Sequence, residues 1–433
     1  MSHGSGSSRT IGVEGLSRVE GEGSLRVEVR DGLVSDVALE IFEPPRYFEA
    51  LLVGRHFTEA PDITARICGI CPVAYQMSAC AAMEDACGVT VDEGVRLLRR
   101  LLYCGEWIQS HSLHVYLLHA PDFLGCADAV ELAERDPAAI QRGLELKRTG
   151  NLIMETVGGR AVHPVNVRVG GFYRAPDPQM VAALAAPLRR ARDAALATVE
   201  WVAGFDFPDI SGDYRFVALR EPDCYPVERG RPSSSFGLDV SPSELADLVV
   251  EEHVERSTAL HARLGGESYL TGPLARYALN AAMLPTLAKQ AATAAGLGPV
   301  CTNPFRSIVV RAIELVFACE EALSLVESYV PPNPPAALVT PREGSGTGVT
   351  EAPRGLLLQR YEIDKVGTIL KARIMPPTSQ NQLTIEADLR RVAQESLELS
   401  DEELQWRCEQ TVRNHDPCIS CAAHFLDITV VAS

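Results

Sequence analysis

Arg66-Ile67-Cys68-Gly69-Ile70-Cys71-Pro72 and Asp416-Pro417-Cys418-Ile419-Ser420-Cys421-Ala422-Ala423-His424 decide how this chain folds. Each contains C-x-x-C, a spacing that sets two sulfurs on one side of a tight turn, close enough to share a metal. Two pairs make four thiolates, the donor set of a soft or borderline metal. They stand near opposite ends of 433 residues, so only a fold that doubles back can unite them. A zinc knuckle usually keeps both pairs within one short segment and stabilises a region with little core. Ligand type alone leaves a zinc-stabilised scaffold open, since an all-sulfur site serves zinc or iron–sulfur.

The other cysteines, Cys80, Cys87, Cys104, Cys126, Cys224, Cys301, Cys319 and Cys408, are scattered among apolar or small neighbours and read as buried small hydrophobes. Residues 1–10 are Gly/Ser-rich with no apolar core of an export signal, so they read as a frayed tail. With grouped cysteines, that places the protein in a reducing compartment, the cytoplasm. A hydrophobic share of 46% with 22% charged residues excludes a disordered, collagen-like or coiled-coil chain. The net charge of −17 makes nucleic acid and anionic membrane poor partners. No apolar run reaches the roughly 18–20 residues of a membrane span; even residues 315–330 contain Glu320, Glu321 and Glu327.

Residues 24–42 alternate around Arg30-Asp31-Gly32 and predict a hairpin. A short helix is expected over 45–55, another from Cys71 to about Met83, and one long helix from an Asp92 N-cap to about Leu118. Helical spacing recurs over 128–148, 178–203, 242–263, 273–295, 305–328 and 385–412. The Pro-rich stretch 330–341 and the glycines of 344–348 read as flexible breaks, before strand-like alternation over 355–363 and 368–375. The expected fold is mainly α with small β pieces (α+β). It is a long helical bundle with an N-terminal β-hairpin and a metal site between the N- and C-terminal segments. It forms one unit over residues 11–424.

At this point the chain resembles the large catalytic subunit of nickel–iron hydrogenases. The resemblance rests on motifs in order: Arg18-Val19-Glu20-Gly21; Arg66-Ile67-Cys68-Gly69-Ile70-Cys71; Gly158-Gly159 with His163-Pro164 and Gly170-Gly171; Ala352-Pro353-Arg354-Gly355; Pro377-Thr378-Ser379-Gln380-Asn381; and the stretch from Asp416 to His424. It implies that Cys68, Cys71, Cys418 and Cys421 bind nickel, with Cys71 and Cys421 also bridging to an iron that carries carbon monoxide and cyanide. Heterolytic splitting of H2 needs a Lewis-acidic metal and a nearby base for the proton. By resemblance the base is the Cys418 thiolate, with Glu20 as its proton relay. Arg354 is implied to hang over the metal pair, held by Asp122 and Asp416. Pro377 and Thr378 are implied to line the cofactor, the threonine bonding a cyanide. Glu49 and His424 correspond to ligands of a hard cation, magnesium or iron.

The same resemblance implies a small iron–sulfur partner subunit, flavin- and NAD(P)-binding diaphorase-type subunits, nickel-insertion proteins, and an endopeptidase that removes residues 425–433. Two departures stand out: Tyr75 occupies a place where many members have His, and Gln380 one where many have Trp. Tyr75 resembles the cytoplasmic, nicotinamide-coupled branch. No strand–GxGxxG–helix or GxxxxGK[ST] is present; Gly296-Leu297-Gly298 and residues 344–348 read as loops, so the nucleotide belongs to a partner. His111, His114 and His119 share a helix without H-E-x-x-H and read as core or surface histidines. Rival readings are a non-catalytic sensor or ion-pump relative on the same scaffold, and the zinc-stabilised scaffold above.

Overall fold

Leu25, Val27 and Val29 alternate into the core and form the expected hairpin. In this computed structural model, which describes residues 8–423, strands Gly23–Arg30 and Leu33–Ile41 pair antiparallel, with Leu25 opposite Leu39 and Val27 opposite Val37. Asp31 and Gly32 take φ of 52° and 76°, positive at both central residues as a type I′ turn requires. A third strand, Ser8–Val13, pairs with the first of these. Residues 8–10, expected to belong to a frayed tail, are instead part of the ladder, because burial of Ile11 and Val13 draws the preceding residues into it. The C-terminal extension 425–433 and His424 lie outside the described residues.

The sheet buries its apolar face against the other end of the chain. Ile11, Leu25, Val27 and Val37 pack with Ile385, Leu389, Leu404, Cys408 and Val412. The helical stretch expected over 385–412, with room for breaks, consists of two helices, Pro377–Glu395 and Asp401–Asn414. Ser400 and Glu403 form a capping box that starts the second.

The bundle consists of Pro72–Cys87, Glu93–Leu113, Pro137–Gly158, Ala185–Ala203 and Ser307–Glu327. Asp92 caps its helix by accepting from the Val95 N–H at 2.8 Å. That helix continues through a π turn, His114–His119, where an uninterrupted α-helix is expected. Residues 242–263 also depart from expectation. Helix Pro242–Leu248 gives way to a hairpin of Val249–Val254 and Ser257–Leu264. The β-branched Val249, Val250 and Val254 favour the extended chain.

The glycines of 344–348 are not a flexible break. They begin strand Gly344–Ala352, which pairs with Gly355–Ile363 and through it with Ile369–Met375. A Cβ on Gly348 would lie 2.1 Å from the Ser78 carbonyl oxygen, and one on Gly346 2.1 Å from that of Ala82. Strand and helix Pro72–Cys87 thus touch backbone to backbone, a contact that only glycine permits. Gly348→Val is expected to destabilise the protein by about 1–3 kcal/mol or more, read as a lower denaturant midpoint. An unchanged midpoint would mean that the strand does not lie on this helix.

Candidate metal centre

The two cysteine turns meet. Cys68 Sγ lies 3.5 Å from Cys418 Sγ and Cys71 Sγ 3.8 Å from Cys421 Sγ. All four sulfurs lie within 4.8 Å of one another and all four residues are buried. Thiolates sharing one metal at about 2.3 Å sit about 3–4 Å apart, so the spacing fits a common cation. Burial pushes the Cys418 and Cys421 thiols up, whereas hydrogen bonding from Cys418 and its neighbours holds Cys68 well below the usual range. Four desolvated thiolates this close repel one another, and a bound cation relieves that cost.

Backbone geometry aims the sulfurs. The Ile70 and Cys71 N–H groups each donate to Cys68 Sγ at 3.3 Å. Helix Pro72–Cys87 starts directly after the turn, and Glu106 accepts from its Val73 and Ala74 N–H groups at 2.6 and 3.1 Å. A carboxylate suits those free amides. Arg46 ties both turns together: Nη2 donates to the Ile67 carbonyl at 2.8 Å and to the Ser420 carbonyl. On the C-terminal side, the Ile419 N–H donates to the Glu20 carbonyl at 2.9 Å. Gly21 has φ 91°, and a Cβ there would lie 2.6 Å from Ile419 Cβ, so the glycine after Glu20 lets the second turn dock. Sequence reasoning does not find Glu106 or Arg46. Each reads as an ordinary surface charge until the fold supplies its partners.

Glu20 lies beside the C-terminal cysteine pair. Its Oε2 accepts from Cys418 Sγ at 3.1 Å and from the Ser420 N–H at 3.1 Å. The Ser420 hydroxyl donates to Glu43 Oε2 at 2.9 Å, so a second, half-buried carboxylate lies one residue further out. Thr378, next to Pro377 in the first turn of its helix, accepts from the Cys418 N–H at 2.9 Å. Arg354 is buried, and its Nη2 donates to Asp416 Oδ1 at 3.0 Å. Burial opposes its charge, but Asp416 and the sulfurs of Cys418, Cys71 and Cys68 outweigh that and keep it protonated. Its Nε and Nη1 have no hydrogen-bond partner among the described residues.

Asp122 is a correction. It does not hold Arg354 but takes a two-point contact from Arg413, Nε to Oδ2 and Nη2 to Oδ1, both at 2.8 Å, and a third from Arg18 at 2.5 Å. The forked guanidinium of Arg413, just ahead of Asp416, matches the carboxylate with two parallel bonds. Glu49 Oε1 accepts from the Ile374 N–H at 2.6 Å, and burial raises its pKa to about 7. Tyr75 is fully buried, where desolvation and the negative sulfurs of Cys421 and Cys71 push its phenol well up and keep it a neutral donor.

The histidines of the long helix are buried. His114 Nε2 donates to the Arg413 carbonyl at 2.8 Å and His119 Nε2 to Asn414 Oδ1 at 2.9 Å. They therefore brace the segment that leads into Asp416 and Cys418. Burial pushes both imidazoles well below their usual range, so they fold neutral while the unfolded chain takes up protons below about pH 6.5. Their contribution is complete above that pH and is lost as pH falls. Replacing either by Gln should flatten the acid-side slope of stability by up to about 1.4 kcal/mol per pH unit, measured by denaturant titration between pH 5 and 7. An unchanged slope would show that they fold protonated.

Comparison with known proteins agrees with this geometry. Residues 46–146 match the nickel-dependent hydrogenase family. The chain is 32% identical to sulfhydrogenase 1 subunit alpha of Pyrococcus furiosus, covering 96% of this chain and 97% of that one. It is 27% identical to the NAD-reducing hydrogenase HoxS subunit beta of Cupriavidus necator, covering 97% and 95%. Its fold superposes on a crystal structure of an NAD+-reducing nickel–iron hydrogenase in the H2-reduced state with a TM-score of 0.85 at 26% identity, over 96% of this chain and 99% of the other. With a relative above 30% identity along nearly its whole length and four cysteines gathered as the family's metal chemistry demands, the chain belongs to the nickel-dependent hydrogenases, as a large subunit.

Proposed function

We propose that this chain is the catalytic subunit of a hydrogenase that reversibly converts H2 to two protons and two electrons. One observation carries the reading: the Cys418 sulfur sits among three others and 3.1 Å from the Glu20 carboxylate. Cys68, Cys71, Cys418 and Cys421 would hold nickel. Cys71 and Cys421, whose sulfurs lie 3.8 Å apart, would also hold the iron, which would carry carbon monoxide and cyanide. When bound, the centre supplies the Lewis acidity that polarises H2 and the redox capacity for its electrons. Cys418 then takes the proton and passes it to Glu20, and Ser420 and Glu43 mark the way out. Arg354, whose charge is supported by the sulfurs of Cys418, Cys71 and Cys68, has two N–H donors, Nε and Nη1, without a partner among the described residues, and these would serve acceptors at the centre. Thr378 and Pro377 close the neighbouring wall.

Glu49, with His424, is proposed to hold magnesium or iron, a carboxylate and an imidazole being acceptable to either. Among the described residues no helix is long and apolar enough to cross a membrane. We assign the electrons to a small iron–sulfur subunit and then to flavin- and NAD(P)-binding diaphorase-type subunits in the cytoplasm. Nickel-insertion proteins and an endopeptidase acting on residues 425–433 complete the scheme. The test is elemental analysis and infrared spectroscopy of the purified complex, with H2-dependent reduction of NAD+ and NADP+. Nickel, iron and sharp bands from metal-bound carbon monoxide and cyanide are expected. Four-sulfur zinc without nickel, or no such bands in active protein, overturns the reading.

A further inference from the structure

Arg276, on helix Pro273–Asn280, is fully buried. It lies outside the cysteine cluster and outside every motif that marks the family resemblance. All five of its N–H donors are engaged. Nε and Nη2 form a fork on Glu314 at 2.7 and 2.8 Å, and Nη1 donates to Glu351 Oε2 at 3.1 Å. The remaining two bonds go to main chain: Nη1 to the Ala352 carbonyl and Nη2 to the Pro353 carbonyl, both at 2.8 Å. These carbonyls immediately precede Arg354.

The clamp is itself held. The guanidinium lies over the Trp107 ring at 4.4 Å, and the Trp107 indole N–H donates to the Glu351 carbonyl at 3.1 Å. Glu314 also accepts from the Tyr225 hydroxyl at 2.8 Å and lies 2.9 Å from His111 Nε2. On the far side of the turn, the Leu356 N–H donates to Thr271 Oγ1 at 2.8 Å, and the Thr271 N–H to Asn381 Oδ1 at 2.9 Å. The backbone on both sides of Arg354 is therefore fixed by one unit, the start of helix Pro273–Asn280.

A buried ion cluster that only stabilised the fold would not need the carbonyls of two consecutive residues. The geometry points to Arg276 as a positioning residue that sets where the Arg354 guanidinium stands over the centre. Holding two carboxylates, one of them at two points, and two carbonyls at once takes five donors in a planar fork; a lysine ammonium has three donors and no fork. The assignment rests on the reading of Arg354 given above, and the test separates the two.

Arg276→Lys, Arg354→Lys and the double variant are compared in the intact complex. Arg276→Lys is expected to lower H2 oxidation up to about 100-fold, the scale of an ångström of misplacement, with nickel and iron content unchanged. It should shift the infrared bands of the diatomic ligands in the same direction as Arg354→Lys. In the Arg354→Lys background it should cost little more, since the group it positions has gone. Effects that simply multiply, or bands that stay in place, overturn the inference. If Arg354→Lys alone leaves turnover intact, it is the reading of Arg354 that fails. If the parent complex lacks diatomic bands, the reading of the centre fails, and the rate cycle still decides about Arg276. Should Arg276→Lys not accumulate, Glu314→Gln loosens the guanidinium without removing it. The same non-additivity with Arg354→Lys is then expected, and full additivity overturns the inference.

Discussion

Cys418→Ser is expected to yield a folded protein that retains little nickel and consumes no H2. The thiolate is the ligand, and a serine hydroxyl neither ionises near neutrality nor offers a soft donor. Even an outer partner of a ligand is worth about 10–100-fold in metal affinity, so loss of a ligand should exceed that. The fold should survive, because the N-terminal sheet and the helices Pro377–Glu395 and Asp401–Asn414 share a core independent of the metal. Cys408→Ser is the control: Cys408 lies in that core and burial raises its thiol to about 12, so it is an inert apolar group. It should keep its nickel while Cys418→Ser loses it, as measured by elemental analysis on samples with matching circular dichroism. Full nickel in Cys418→Ser would remove this sulfur from the centre.

The cysteine pairs were legible in the sequence because their spacing is local, and their union followed from counting ligands. The N-terminal hairpin was legible for a similar reason: Asp31-Gly32 between alternating apolar residues leaves little choice of turn. What escaped reading depends on partners remote in sequence. Residues 249–264 carry apolar spacing that suits a helix, and only their β-branched residues and the pocket awaiting them favour a hairpin. Gly346 and Gly348 look like a hinge unless the helix pressed against them is known. Asp122 pairs with Arg413, a partner 291 residues away in sequence, which no local pattern announces. Glu106 and Arg276 carry no local pattern, since a charged residue on a helix usually faces water, and Arg46, in the loop ahead of helix Phe48–Leu52, reads as an exposed charge.

Glu20→Gln is expected to separate the metal from the proton. The amide has nearly the carboxylate's shape, keeps an oxygen for the Ser420 N–H, and leaves the Ile419-to-Glu20 main-chain bond untouched. Nickel and iron content should therefore equal that of the parent. What it loses is the ability to take a proton from Cys418, 3.1 Å away. A positioned acid–base group contributes about 10²–10⁴-fold, and H2 oxidation and evolution should both fall by that factor, since one carrier serves both directions. Exchange of D2 with solvent protons should fall in parallel, because it too needs the proton to leave. Glu20→Asp keeps the chemistry but draws the carboxyl back by a methylene, so it should recover part of the rate. Ser420→Ala should cost less than Glu20→Gln, because a water can stand in for one hydroxyl. If Glu20→Gln keeps parental exchange and turnover, Cys418 hands its proton to another group and Glu20 serves only to dock the second cysteine turn. A loss of metal alongside the rate would likewise make Glu20 a structural brace, which is why metal content and exchange must be read on the same sample.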